Sequence, residues 1–310
     1  MLTTPKTPVN CITPDCLPQT YTRHFPPTIP PAIPQGLPVP TFTQDSGSIN
    51  YGGKVPLSAT GMPTGAVFEY SYDNGKSWTV GSQVPIISKN TVLARTRIND
   101  LVSEPASANY SLYFQRMLVI GNSIMSHAPY PEVGWYNNNG MAASAPEKDF
   151  VHLLNGYLQT LYPAVNYQLQ TGGNFERQFG APGYSIDEFN TVLQQYKPDL
   201  IIVRIGENVD EGDVFSRNFE LQFRNLLDKL ATYSGQPVKI VCSTSVWNRP
   251  QTDISIRKVT LEKGFALADL REIVPQSKYF ASQYANPSVA AHPNDLGMQR
   301  IADLIWQQIP

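Results

Sequence analysis

The sequence predicts an α/β fold, a parallel sheet flanked by helices, with a smaller all-β domain in front of it. Three observations carry this. Met117-Leu118-Val119-Ile120 and Leu200-Ile201-Ile202-Val203 are short apolar runs that stop at or near a glycine (Gly121, Gly206), as strands buried on both faces do. Amphipathic helical segments alternate with such runs through the last two thirds of the chain, the signature of a parallel sheet. Over 41–114 the pattern changes to short alternating runs joined by turn residues, which reads as a β-sandwich.

Residues 1–40 hold Pro26-Pro27, Pro30-Pro31, Pro34, Pro38 and Pro40. A residue that fixes φ and lacks a donor makes an extended arm or linker rather than part of a core. Within 41–114, runs at 67–72 and 77–80 flank Asp73-Asn74-Gly75-Lys76, and Asn-Gly between alternating runs predicts a hairpin. Stretches 91–97 and 108–113 supply further strands. The domain from 115 to 310 opens with the run at 117–120. Ser144-Ala145-Pro146-Glu147 and Ser185-Ile186-Asp187-Glu188 match the capping-box pattern. Phe150, Leu154, Tyr157, Leu158 and Leu161 form an apolar helical face after the first, and Phe189, Val192, Leu193 and Tyr196 after the second. Phe215, Phe219, Phe223, Leu226, Leu227 and Leu230 mark the longest amphipathic helix. The remaining strands fall at 165–169, 238–242 and 265–267, and 298–309 forms the closing helix, capped by Asn294 or Asp295.

The chain has 310 residues, 41% of them hydrophobic and 15% charged, enough to bury a sizeable core. A net charge of −2 without a basic run argues against a nucleic-acid partner. No apolar stretch approaches the roughly 18–20 residues that span a bilayer. Residues 1–10 lack the apolar core of a signal peptide, so one has been removed or the chain is cytosolic. Cys11 and Cys16 lie close together among prolines, and a small-loop disulfide between them would place the protein in an oxidising compartment, secreted or periplasmic. Two free thiols in an arm are the other reading. A metal site is not expected there, because no second Cys or His pair completes four ligands. Cys242, inside an apolar run, reads as an inert buried residue.

Chemistry enters at Gly121-Asn122-Ser123. Open α/β sheets bind ligands at the carboxyl edge of their strands. A serine held there by a sharp turn is a candidate nucleophile, provided a base and oxyanion donors reach it. Gly206-Glu207-Asn208 ends the second apolar run, and His292-Pro293-Asn294-Asp295 precedes the closing helix. The amide of Asn208 donates without carrying charge, as an oxyanion hole requires. Of four histidines, His24 lies in the arm and His152 within a helix. His127 is too near Ser123 to approach from a separate loop, although placed to line a pocket. His292 is therefore the candidate base.

In that order, Ser123, Asn208 and His292 resemble the blocks of the SGNH hydrolases, the GDSL-type esterases and lipases, which read G-D-S, a lone Gly, G-x-N-D and D-x-x-H. The resemblance covers 117–310 and implies a three-layer α/β/α, flavodoxin-like domain with serine esterase activity. Carried onto this chain, it makes Ser123 the nucleophile and His292 the base. The oxyanion hole comprises the Ser123 N–H, a backbone N–H at Gly173 (or, second, Gly172) and the Asn208 amide. Asn122, Val209 and Val289 stand where the family has acids. Val289 has no carboxylate to orient the histidine, so a backbone carbonyl of 287–290 is expected to accept its Nδ1–H. Asp295 is expected to cap the last helix and Asp269 to be structural. Arg204, Glu207, Glu176 and Arg177 are expected to form ion pairs that brace the loops, without a catalytic role.

Ser71-Tyr72-Asp73-Asn74-Gly75-Lys76-Ser77-Trp78 resembles the sandwich repeats appended to extracellular glycan-active enzymes. That likeness implies a polysaccharide ester as substrate, most simply an O-acetyl group. No metal or organic cofactor is implied, and the expected partner is an acylated small molecule or polysaccharide. The alternative is a non-catalytic carbohydrate-binding or adhesion protein on the same scaffold, which Asn122 and Val289 would favour.

Overall fold

The computed structural model describes residues 36–309; the Cys11–Cys16 pair, His24 and most of the proline-rich arm lie outside them. Five strands, β1 (Arg116–Gly121), β2 (Asn166–Thr171), β3 (Leu200–Arg204), β4 (Lys239–Ser243) and β5 (Ala266–Ala268), run parallel in the order β2-β1-β3-β4-β5. Alternation along β1 feeds two cores. Met117 and Val119 pack with Phe150, Leu154 and Leu158 of the helix Phe150–Leu161 and with Met298, Ile301 and Ile305 of the helix Asp295–Trp306. Leu118 and Ile120 face the other way, onto Phe175, Phe179, Phe219 and Phe223. Helices thus cover both faces of the sheet, the three-layer arrangement expected. Chain order reverses between β1 and β3, so a crevice opens at the carboxyl ends of those two strands. Ser123 follows one of them and Asn208 the other.

Ahead of this sheet, Thr41–Phe42, Lys54–Ser58 and Gln83–Pro85 pair antiparallel. A second sheet is built on Val67–Ser71, Val92–Ile98 and Ala106–Tyr113. Phe42, Val55, Leu57, Val84, Ile86, Val92 and Tyr110 form the core of these sheets. The expected turn is present, with Asn74 at φ 63° and Gly75 at φ 82° between the paired strands Val67–Ser71 and Thr79–Val80. Tyr51 stacks on Phe114 at 5.4 Å and Tyr113 on Tyr162 at 4.7 Å, at the junction with the parallel sheet.

Local signals were overridden in three places. The first helix is capped by Asp149, whose carboxylate accepts from His152 N at 2.9 Å, not by Ser144. Both the N–H and the hydroxyl of Ser144 bond instead to the Asp295 carboxylate, at 2.7 Å each. That occupies Asp295, and Asn294 caps the closing helix by accepting from Gly297 N at 3.0 Å. The long amphipathic run is split at Arg217–Asn218, where Asn218 takes φ 52° and caps Phe219–Thr232, leaving Phe215 exposed.

The closing helix is held against the loop before it by a close approach at Gly297. A Cβ there would sit 2.2 Å from the Tyr279 carbonyl oxygen, which also accepts from Asn294 N at 2.9 Å. Ala281, two residues on, donates to the His292 carbonyl at 3.0 Å. Gly297→Ala is therefore expected to lower stability by about 1–3 kcal/mol. A urea midpoint within error of the wild type would show that this contact yields freely.

Candidate active site

Gly121 ends β1 where a side chain has no room: a Cβ would lie 2.7 Å from that of Met125. The chain then turns tightly, with Met125 N and Ser126 N both donating to the Asn122 carbonyl. This presents the half-buried Ser123 at the sheet edge, and its own N–H has no backbone partner among the described residues.

His292 arrives from the far end of the chain, just after the short helix Pro287–Ala290. Its Nε2 lies 2.8 Å from Ser123 Oγ and its Nδ1 lies 2.7 Å from the Ser288 carbonyl oxygen. A carbonyl only accepts, so Nδ1 carries the proton and Nε2 offers its lone pair to the serine. Val289, three residues before His292, is buried beside Trp135, Met141 and Ala281. The two rival carboxylates are engaged elsewhere, Asp295 with Ser144 and Lys148 and Asp269 with Arg257 and Arg271. Trp247 sets its ring edge-on to the imidazole at 5.5 Å and donates from Nε1 to the Ala291 carbonyl at 2.8 Å.

Burial pushes the His292 imidazole down from 6.5 to about 4, against the opposing pull of the Ser288 carbonyl. The sign favours a base, because the neutral ring persists down to acidic pH. If His292 acts as the base, the acid limb of kcat/KM should fall well below 6.5, towards about 4. An inflection at an ordinary histidine value would contradict the buried placement.

Gly172 N donates to the Gly121 carbonyl at 2.7 Å, continuing the sheet. Gly173 lines the same cavity as Ser123, and its N–H meets the Thr171 hydroxyl at a long 3.2 Å. Asn208 lines it too. Its Nδ2 donates to Glu176 Oε2 at 2.7 Å and its backbone N–H to Glu176 Oε1 at 3.2 Å.

The bracing ion pairs form only in part. Arg204 pairs with Glu207 at 2.5 Å, both fully buried. Glu176 and Arg177 do not pair. Glu176 is buried and receives four N–H bonds from Asn122, Gly206 and Asn208. Arg177, exposed at the cavity wall, donates to the Gly173 carbonyl at 3.1 Å. The surroundings of Asn122 account for an amide at this position. Its Nδ2 donates to Glu176 Oε1 at 3.0 Å and to Glu207 Oε2 at 2.7 Å, where an aspartate would meet two carboxylates. His127 lines the cavity, and His152 is a structural residue bonded to Asp149 and Tyr167.

The cavity has a volume of about 610 Å³. Ser123, Gly173, Asn208 and His292 meet in it, with Met125, Val133 and Met141 as apolar wall and Tyr130 and Trp247 as aromatic wall. Tyr130 and Trp247 carry no sequence signal of their own, since isolated aromatics in loops read as ordinary packing. Among the described residues, no acidic side chain lines the cavity.

No family model and no curated protein matches the chain. Among solved structures, it is similar to a two-domain esterase active on acetylated mannans, at 18% identity and TM-score 0.44 over 63% of this chain and 48% of that one. This chain thus spans about half the length of that protein. It is also similar to an acetyl xylan esterase, at 18% identity and TM-score 0.39 over 63% of this chain and 100% of that one. A GDSL-like lipase from Parabacteroides merdae is similar at 15% identity and TM-score 0.42, over 64% of this chain and 96% of that one.

Proposed function

We propose that this chain is a serine carboxylic-ester hydrolase of the SGNH type, working through a Ser123–His292 dyad on O-acetyl groups of a carbohydrate. The observation that carries the reading is the 2.8 Å contact from Ser123 Oγ to His292 Nε2, with Nδ1 tied to a carbonyl at 2.7 Å, opening into a cavity. Ser123 Oγ attacks the ester carbonyl as its proton passes to His292 Nε2. The tetrahedral oxyanion lies between the N–H groups of Ser123 and Gly173 and the amide of Asn208. Collapse expels the alcohol, which takes the proton back from His292, and water repeats the sequence to free the acid and the serine. The Ser288 carbonyl orients the ring as a triad carboxylate would, but with less charge to stabilise the imidazolium. Apolar Met125, Val133 and Met141 suit a short acyl group, and the aromatic rings of Tyr130 and Trp247 suit a sugar. An oxidising compartment, secreted or periplasmic, is part of the proposal and rests on Cys11 and Cys16.

Release of acetate from acetylated oligosaccharides and of nitrophenol from 4-nitrophenyl acetate tests the reading. The wild type should turn both over and Ser123→Ala neither; an inactive wild type would favour a carbohydrate-binding protein instead. Asp295→Asn and Asp269→Asn should keep most of kcat/KM. A loss near the ~10⁴-fold seen when a triad acid becomes an amide would make that residue the acid and end the dyad assignment.

A further inference from the structure

Glu176 stands outside the dyad, yet its surroundings are those of a group with a task. It lies on the short helix Gly173–Gln178, is fully buried, and forms no ion pair among the described residues. Oε1 accepts from Gly206 N at 2.7 Å, Asn122 Nδ2 at 3.0 Å and Asn208 N at 3.2 Å, while Oε2 accepts from Asn208 Nδ2 at 2.7 Å. One carboxylate therefore joins the nucleophile turn, through Asn122, to the loop after β3, through Gly206 and Asn208.

We infer that Glu176 is a positioning residue that fixes which way the Asn208 amide faces; this rests on the oxyanion role proposed for Asn208. An asparagine side chain has two nearly isosteric orientations, and only one presents N–H groups to the cavity. A carboxylate has no donor, so only Nδ2 can face Oε2. The first Nδ2 hydrogen is held by Glu176, and the second is left for the oxyanion. Backbone N–H donation from Asn208 to the same carboxylate holds the residue at both ends. An oxyanion donor that needs no reorientation when charge develops is the kind that lowers a barrier most.

Glu176→Gln isolates this effect. Gly206 N, Asn208 N and Asn122 Nδ2 are all donors at the Oε1 position, so the glutamine oxygen stays there and its NH₂ replaces Oε2. Two NH₂ groups then oppose each other, and Asn208 relieves the clash by turning half a rotation about its last bond. That brings a carbonyl lone pair to where an N–H had pointed into the cavity.

The test is a double-mutant cycle on 4-nitrophenyl acetate, with kcat and KM measured for wild type, Asn208→Ala, Glu176→Gln and the double variant. Loss of one oxyanion donor typically lowers kcat by about 10²–10³-fold. Asn208→Ala and Glu176→Gln are each expected to do so with KM little changed, and the double variant to be about as slow as Asn208→Ala alone. Losses that multiply in the double variant, or a Glu176→Gln enzyme with wild-type kcat, would overturn the inference while leaving the esterase reading intact. An unchanged kcat for Asn208→Ala would instead remove Asn208 from the oxyanion hole, and this inference with it.

Should Glu176→Gln fail to fold, the wild type gives the answer by NMR of ¹⁵N-asparagine-labelled protein. One Asn208 side-chain proton should be protected in the free enzyme, and a phosphonate adduct on Ser123 should shift the other. Two equally exposed protons in the free enzyme would overturn the proposal.

Discussion

His292→Ala is expected to lower kcat by about 10⁴–10⁶-fold, and adding Ser123→Ala should cost almost nothing more. Both outcomes follow from one proton path. Without the imidazole, Ser123 keeps its proton and is a poor nucleophile; without the serine, the imidazole has nothing to deprotonate at 2.8 Å. The residual rate over water would come from the oxyanion donors, which neither change removes. Initial rates on 4-nitrophenyl acetate for the two single variants and the pair decide the matter. Losses that multiply would mean that each residue acts through a different step, and the dyad would have to be abandoned.

Arg204→Met is expected to be the most damaging change to stability, at about 3–5 kcal/mol. Arg204 and Glu207 are both buried, and Glu207 also accepts from Asn122 Nδ2 at 2.7 Å and Val246 N at 2.9 Å. Burial pushes the Glu207 carboxyl up, but the Arg204 guanidinium and these donors together hold it below its usual value. A folded-state pKa below the unfolded one adds stability above the unfolded value, and that stability is lost as pH falls. Removing Arg204 reverses the shift, so the variant's Glu207 favours folding only while protonated, and the deficit grows as pH rises. Urea unfolding at about pH 5 and about pH 8 should show the larger loss at the higher pH. An equal loss at both would mean that methionine costs only packing.

Much of this arrangement was legible because it is encoded locally. Met117–Ile120 and Leu200–Val203 are apolar enough to be buried on both faces, and the glycines after them permit a sharp turn that other residues resist. The shortage of histidines singled out His292, and the valine at 289 pointed to a carbonyl partner. What was missed depends on contacts between distant segments. Glu176 and Arg177 are adjacent in sequence and look like an ion-pair ladder, yet a short helix turns one into the interior and the other to the cavity wall. Nothing local says that Asn122 will face two carboxylates that come from 54 and 85 residues away. Ser144 carries a good cap signal, but Asp295 reaches it from 151 residues further on. The split before Phe219 rests on a left-handed Asn218, which apolar periodicity does not register.

The helix Pro287–Ala290 ends without closing its last turn. His292 N donates to the Val289 carbonyl rather than to Ser288, which leaves the Ser288 oxygen without a backbone donor from the residue four ahead. The imidazole supplies that missing donor, from the very residue whose main chain would have done so. The ring is thus a helix-terminating group as well as the proposed base, and its tautomer is written into five consecutive residues rather than into a contact with a remote acid. Such a device travels with its own segment. It tolerates drift in the rest of the scaffold, but a single residue inserted between 288 and 292 would undo the helix end and the tautomer together.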